Sequence, residues 1–184
     1  MSGQIHRHAD IGVIRQLRPS EELLFRNHLL GLDVASRRDR FNGVTHDQFV
    51  AAYSSRCFHD GTIVLGYVVD DKLRGAAELH ERPELAEPTG EIAFSVERDF
   101  QHRGVGAKLF ARLIDIARGY GYKRLLVTTH PDNEAMKALA RRFGSRLSFE
   151  EGETVGRIDL APLVTGETLP LLDQRAQEPN ETHP

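Results

Sequence analysis

The chain has 184 residues, enough for one domain with a sizeable core. Its 24 basic against 27 acidic side chains give a formal charge of −3. That leaves no general basic surface for nucleic acid, and there is no aromatic–basic interleaving of the kind single-strand binders use. The longest apolar run, residues 63–69, is too short to span a bilayer, no apolar leader opens the chain, and the one cysteine, Cys57, has no partner for an internal disulfide, so a cytoplasmic protein is expected.

Metal and nucleotide signatures are absent. There is no C-x-x-C and no G-x-x-x-x-G-K-[ST], and His80-Glu81 lacks the second histidine that zinc-protease chemistry needs. His6 and His8 fall in a terminal segment, residues 1–10, and read as exposed side chains rather than metal ligands. No metal is expected.

Residues 11–160 read as mixed α and β. Ile11–Leu17 is a short strand. Ser20 then caps a helix whose first turn carries Glu21 and Glu22. Ala35–Phe41 and Thr45–Tyr53, the latter capped by Thr45, are two more helices. The period then changes to two. Residues 62–80 form a hairpin turning on Asp70 and Asp71. Glu78, Glu81, Glu84 and Glu87, spaced every third residue around Pro83 and Pro88, could line the path of a cationic acceptor but read first as a solvated loop. Glu91–Val96 alternates, with Ile92, Phe94 and Val96 on one face and Glu91, Ala93 and Ser95 on the other. Val105, Leu109, Leu113 and Ile116 lay an apolar stripe along a helix over 105–118, ended by Gly119 and Gly121. A strand at Arg124–Thr129, a helix at Asn133–Phe143 with Gly144 beyond it, and a hairpin around Gly152 complete the pattern. Residues 161–184 hold half of the eight prolines and four acids against Arg175 alone, and read as a disordered acidic tail.

The stretch with chemistry in it is Gln101-His102-Arg103-Gly104-Val105-Gly106-Ala107, between an alternating strand and an amphipathic helix. A glycine-rich helix start presents free backbone amides at the positive end of the helix dipole, which suits a phosphate. A dinucleotide site is excluded twice over: Leu109 stands where the third glycine would be, and no acid follows in the next strand.

This Q-x-x-G-x-G/A loop resembles the pyrophosphate loop of the GNAT acetyltransferase superfamily. Asn133-Glu134-Ala135-Met136 through Leu139 and Gly144 is similar to that family's N-x-x-(A/M)-x-x-L-x-x-x-x-G segment. The resemblance covers residues 11–160 and implies an α/β (α+β) fold: a mixed, mostly antiparallel sheet flanked by helices and splayed between the strands at 91–96 and 124–129. It implies acetyl-CoA as co-substrate, with the backbone of Phe94, Ser95 and Val96 along the pantetheine arm. His102, Arg103, Gly104, Val105, Gly106 and Ala107 would lie around the pyrophosphate, with Asn133 at the pantetheine. It further implies an amide at a strand bulge, here Val96, facing the oxyanion, and a carboxylate base, here Glu91, with Glu97 as second choice. Ala140 stands where many members carry a tyrosine acid; Tyr120 and Tyr122 read as packing residues.

Arg18-Pro19-Ser20-Glu21-Glu22 and Ser36-Arg37-Arg38-Asp39-Arg40-Phe41 resemble a pattern of Pat-type bacterial protein lysine acetyltransferases. As bare chemistry the three arginines read as a solvated helix face. An acetyl transfer to an amine, with a protein lysine as the acceptor, is thus expected. The alternatives are a small amine acceptor (polyamine, amino acid or aminoglycoside) and a non-catalytic acyl-CoA-binding module.

Overall fold

The computed structural model describes residues 12–59 and 61–160. The segment 1–10 and the tail 161–184 expected from the sequence lie outside them.

Strand β1 is Val13–Gln16. Pro19, with its fixed φ, starts a 3₁₀ turn, Pro19–Glu21, ahead of helix α1, Glu22–Gly31. Ser20 therefore lies inside the turn and caps nothing, contrary to expectation; the Glu21 carboxylate instead accepts from the Arg18 amide at 2.9 Å. Helix α2 is Val34–Phe41, capped by Asp33, whose Oδ1 accepts from the amides of Ala35 and Ser36. Helix α3 is Asp47–His59, longer than expected and without a cap from Thr45, whose hydroxyl has no partner among the described residues. Val50, Ser54 and Cys57 keep its inward face buried well past Tyr53.

Strands β2, Ile63–Val69, and β3, Lys72–Glu81, turn on Asp70 and Asp71, both at positive φ, the geometry that matches strand twist. Tyr67 pairs Gly75 and Val68 pairs Leu73, so Arg74 is the extra residue of a β-bulge. Then follow β4, Thr89–Val96; α4, Val105–Gly119; β5, Arg124–Thr129; α5, Glu134–Arg142; β6, Arg146–Glu150; and β7, Glu153–Asp159.

The seven strands form one sheet in the order β1-β2-β3-β4-β5-β7-β6. Every neighbouring pair is antiparallel except β4–β5, which α4 joins as a parallel crossover. Each face of the sheet has its own apolar core. Leu109, Phe110 and Leu113 of α4 bury Leu79, Ile92 and Leu125 on one face. Phe25 and Leu29 of α1 and Val50 of α3 bury Val64, Leu73 and Ala76 on the other.

Candidate active site

The decisive feature is how little of β4 and β5 is paired. Thr89, Gly90 and Glu91 face Arg124, Leu125 and Leu126, and there the ladder stops. Beyond Glu91 the strands part, and a groove of about 600 Å³ opens between them. Ile92, Val127, Met136 and Leu139 line it with apolar surface, and Gly104, Gly106 and Ala107 form its rim.

The β3–β4 ladder determines which backbone groups face that opening. The Glu97 amide donates to the Arg74 carbonyl at 3.0 Å, so Arg74 and Glu97 are a hydrogen-bonded pair. Bonded and non-bonded pairs alternate along an antiparallel ladder. Ser95 with Ala76 is therefore the next bonded pair, and the amides and carbonyls of Val96 and Phe94 turn the other way, into the groove. The register from Gly75↔Val96 to Glu81↔Gly90 shows no shift, so no bulge is present at Val96, contrary to expectation; its amide reaches the groove by simple alternation. The Val96 carbonyl accepts from Gln101 Nε2, which also donates to Ser36 Oγ, each at 3.0 Å. Gln101 thus ties the strand end to α2.

Side chains divide between the two faces. Phe94 stacks on Phe110 of α4, which stacks on Phe143 after α5. Ser95 and Glu91 point to the α1–α3 face, where Ser36, Asp39 and Arg40 of α2 close the groove. Asn42 pins the end of α2: its Oδ1 accepts from the His130 amide and its Nδ2 donates to Glu153, both at 3.0 Å. The helix therefore bridges both sides of the opening.

At the rim, His102 and Gly104 both take positive φ, 57° and 79°, and curl the chain into α4. No side chain among the described residues caps that helix. The first bond of its opening turn is from Lys108 to the Gly104 carbonyl, leaving the amides of Val105, Gly106 and Ala107 without partners among the described residues. A Cβ on Gly104 would meet nothing within 4 Å, so the glycine serves conformation, not close packing. Arg103 packs on the Phe100 ring. These open amides beside an apolar trough fit an anionic diphosphate carrying an aliphatic arm. Asn133 caps α5 through Oδ1, which accepts from the Met136 amide at 2.9 Å; only its amide nitrogen remains to face the groove.

Glu91 sits at the apex, at the last rung of pairing. Its carboxylate is ion-paired to Arg82 and accepts from Thr128 Oγ1 at 3.1 Å. Thr128 lines the groove; Glu91 stands behind it. Glu97 binds Arg74 and faces His28, and these two partners, the His28 contact foremost, hold its carboxyl below the usual range.

Two expectations fail here. Arg40 is not on a solvated face, and Glu78, within the expected hairpin, is not solvated: both side chains are buried, with the Arg40 guanidinium 2.6 Å from each Glu78 oxygen and Tyr53 donating to the same carboxylate. Burial pushes the Glu78 carboxyl up, but Arg40 and His80 outweigh it and hold it at about 2. Cys57, Glu78 and His80 place donor atoms within 4.8 Å of one another, yet Arg40 and Tyr53 already occupy both Glu78 oxygens. Ala140 is buried in the core and does not line the groove; Tyr122 packs, whereas Tyr120 is exposed.

A strand pair splayed beside an uncapped helix start defines the class by its fold, and comparison gives that class a name. The family model for the acetyltransferase (GNAT) family matches residues 32–145, and the chain belongs to that family, whose members are acetyl-CoA-dependent N-acetyltransferases. The chain is 35% identical over 86 residues to Acetyltransferase Pat of Mycolicibacterium smegmatis, a match covering 46% of this chain but only 26% of that relative. Among solved structures, the GNAT domain of S. lividans PAT superposes with a TM-score of 0.69 at 20% identity, over 81% of this chain and 90% of that one. The yncA protein of Salmonella typhimurium, solved with its cofactor acetyl-CoA, gives 0.61 at 17%, over 86% of this chain and 99% of that one. Among the described residues no helix is long and apolar enough to cross a membrane.

Proposed function

We propose that this chain transfers the acetyl group of acetyl-CoA to an amine, and that the amine is a lysine side chain of a protein. The observation that carries the reading is the three-rung β4–β5 ladder opening onto the unpartnered amides of α4. In this reading the amides of Val105, Gly106 and Ala107 hold the pyrophosphate, with His102, Arg103 and Gly104 shaping the loop around it. The inward groups of Phe94 and Val96, with Ser95 between them, run along the pantetheine, and the Asn133 amide nitrogen meets its far side. Acetyl-CoA supplies an activated acyl carbon. The Val96 amide faces the oxygen that gains charge when the amine adds. Glu91, behind Thr128, supplies negative charge that draws an ammonium acceptor to the apex. The lysine assignment draws on the Pat relative and on the arginine pattern of α2.

A thiol-release assay with acetyl-CoA and a panel of lysine peptides, polyamines, amino acids and aminoglycosides tests this. The reading expects CoA release with lysine peptides above every small amine. Faster release with a small amine overturns the lysine assignment, and binding of acetyl-CoA without release for any acceptor overturns the enzymatic reading.

A further inference from the structure

His28 is a buried histidine with a defined tautomer. Its ring lies on α1, fully covered. Nδ1 is 3.1 Å from the Leu73 carbonyl, which can only accept, so Nδ1 carries the proton. In the neutral ring Nε2 is then the bare nitrogen, placed 2.9 Å from the Ser95 hydroxyl to accept from it. The Glu97 carboxylate stands 3.6 Å from Nδ1 and is itself fixed by Arg74 Nη1 at 2.7 Å. Glu97 and, behind it, Arg74 are the charged groups that the described residues set against this ring.

The bulge at Arg74 builds this arrangement. It shifts the pairing with β2 at Leu73, whose carbonyl takes His28, while Arg74 holds Glu97 through both its carbonyl and its guanidinium. Ser95 lines the groove, next to the amide of Val96 and on the face opposite α4.

Resting on the acetyl-transfer reading above, we infer that Ser95, His28 and Glu97 form a proton-accepting relay for the acceptor amine. The amine nitrogen bonds to the acetyl carbon and the carbon–sulfur bond breaks, its electron pair leaving on the thiolate. Before attack the ammonium gives one proton to Ser95 Oγ as the Ser95 hydrogen passes to His28 Nε2, and after attack the nitrogen gives its second proton to the departing thiolate. The resulting imidazolium keeps Nδ1–H on Leu73 and faces the Glu97 carboxylate. When the product leaves, Nε2 returns the proton through Ser95 Oγ to the groove, and Glu97 stays a carboxylate that has only stabilised the imidazolium. Ser95 touches the acceptor; His28 and Glu97 act through it.

The test is the pH dependence of kcat for the full chain with acetyl-CoA and a lysine peptide, in the wild type, Ser95→Ala, His28→Gln and Glu91→Gln. Ser95→Ala is expected to lose at least tenfold in kcat at neutral pH, with the KM for acetyl-CoA unchanged. The loss should shrink as pH rises and the amine sheds its own proton. His28→Gln should show the same profile if its melting temperature shows that it folds, and Ser95→Ala keeps the test valid if it does not. In Glu91→Gln the fall in kcat towards acid pH, the acidic limb expected of the wild type, should persist. A wild-type profile in Ser95→Ala, a defect of equal size at every pH, or loss of the limb in Glu91→Gln alone overturns the relay while leaving the acetyltransferase reading intact. A wild type that releases no CoA with any amine overturns both.

Discussion

Neighbouring charge and burial decide what each reactive side chain near the groove does. Burial first, and then the Glu78 carboxylate, push the Cys57 thiol up to about 12, so almost none of it is thiolate at neutral pH. A thiol with an ordinary value of about 8.5 would be partly ionised there. Cys57 in the folded chain should therefore react with iodoacetamide on the order of 1,000-fold more slowly than in the urea-unfolded chain at pH 7.5. Comparable rates, read by mass, would mean that the Tyr53–Glu78–Arg40 cluster is open. Glu78 works in the opposite direction. Held at about 2 when folded, it returns to the ordinary glutamate value of about 4.3 on unfolding. Its contribution to stability is thus complete above that value and lost as pH falls towards 2. Glu78→Gln, which strands the Arg40 charge, should cost about 3–5 kcal/mol at pH 7, and its melting temperature should fall less steeply than that of the wild type between pH 4.5 and 2.5.

At the scale of elements, α4 and α5 each start beside the groove, but they start differently. The first turn of α4 is left bare, whereas Asn133 caps α5. Asn133→Ala should lose about 1 kcal/mol of stability from the cap and weaken CoA binding less than Gly104→Ala does, because Oδ1 is spent on the Met136 amide and only the amide nitrogen is withdrawn from the groove. Gly104→Ala puts a Cβ on a left-handed residue, at about 1–2 kcal/mol, and should weaken CoA binding as well by tilting the amides. Calorimetry on both variants separates a cap from a cradle, and equal losses of affinity would contradict the distinction. These elements were legible in the sequence because local signals set them: the alternation in β4, the stripe of α4, the glycines after α4 and α5. The caps of α1 and α3 were misread because Pro19 and the inward face of α3 outweigh a hydroxyl at the nominal cap. The Ser95–His28 contact, 67 residues apart in sequence, and the burial of Arg40 on Glu78 leave no periodic trace. Both depend on how α1 and α2 cross the sheet.

Across the whole molecule, one crossover shapes the site. Because β4 and β5 are the sole parallel neighbours among the described strands, the chain must leave the sheet between them, and α4 begins where they part. The three-rung ladder, the bare amides and the inward groups of Phe94 and Val96 then share one opening. Helix α2, tied across it by Gln101 and Asn42, closes the face from which an acceptor would come. A crystal structure of the full chain with acetyl-CoA tests this account most directly. It predicts pyrophosphate oxygens within hydrogen-bond distance of the amides of Val105, Gly106 and Ala107, with the thioester carbonyl on the Val96 amide and the β4–β5 ladder ending at Glu91. Acetyl-CoA bound elsewhere, or β4 and β5 paired along their full length, would contradict it.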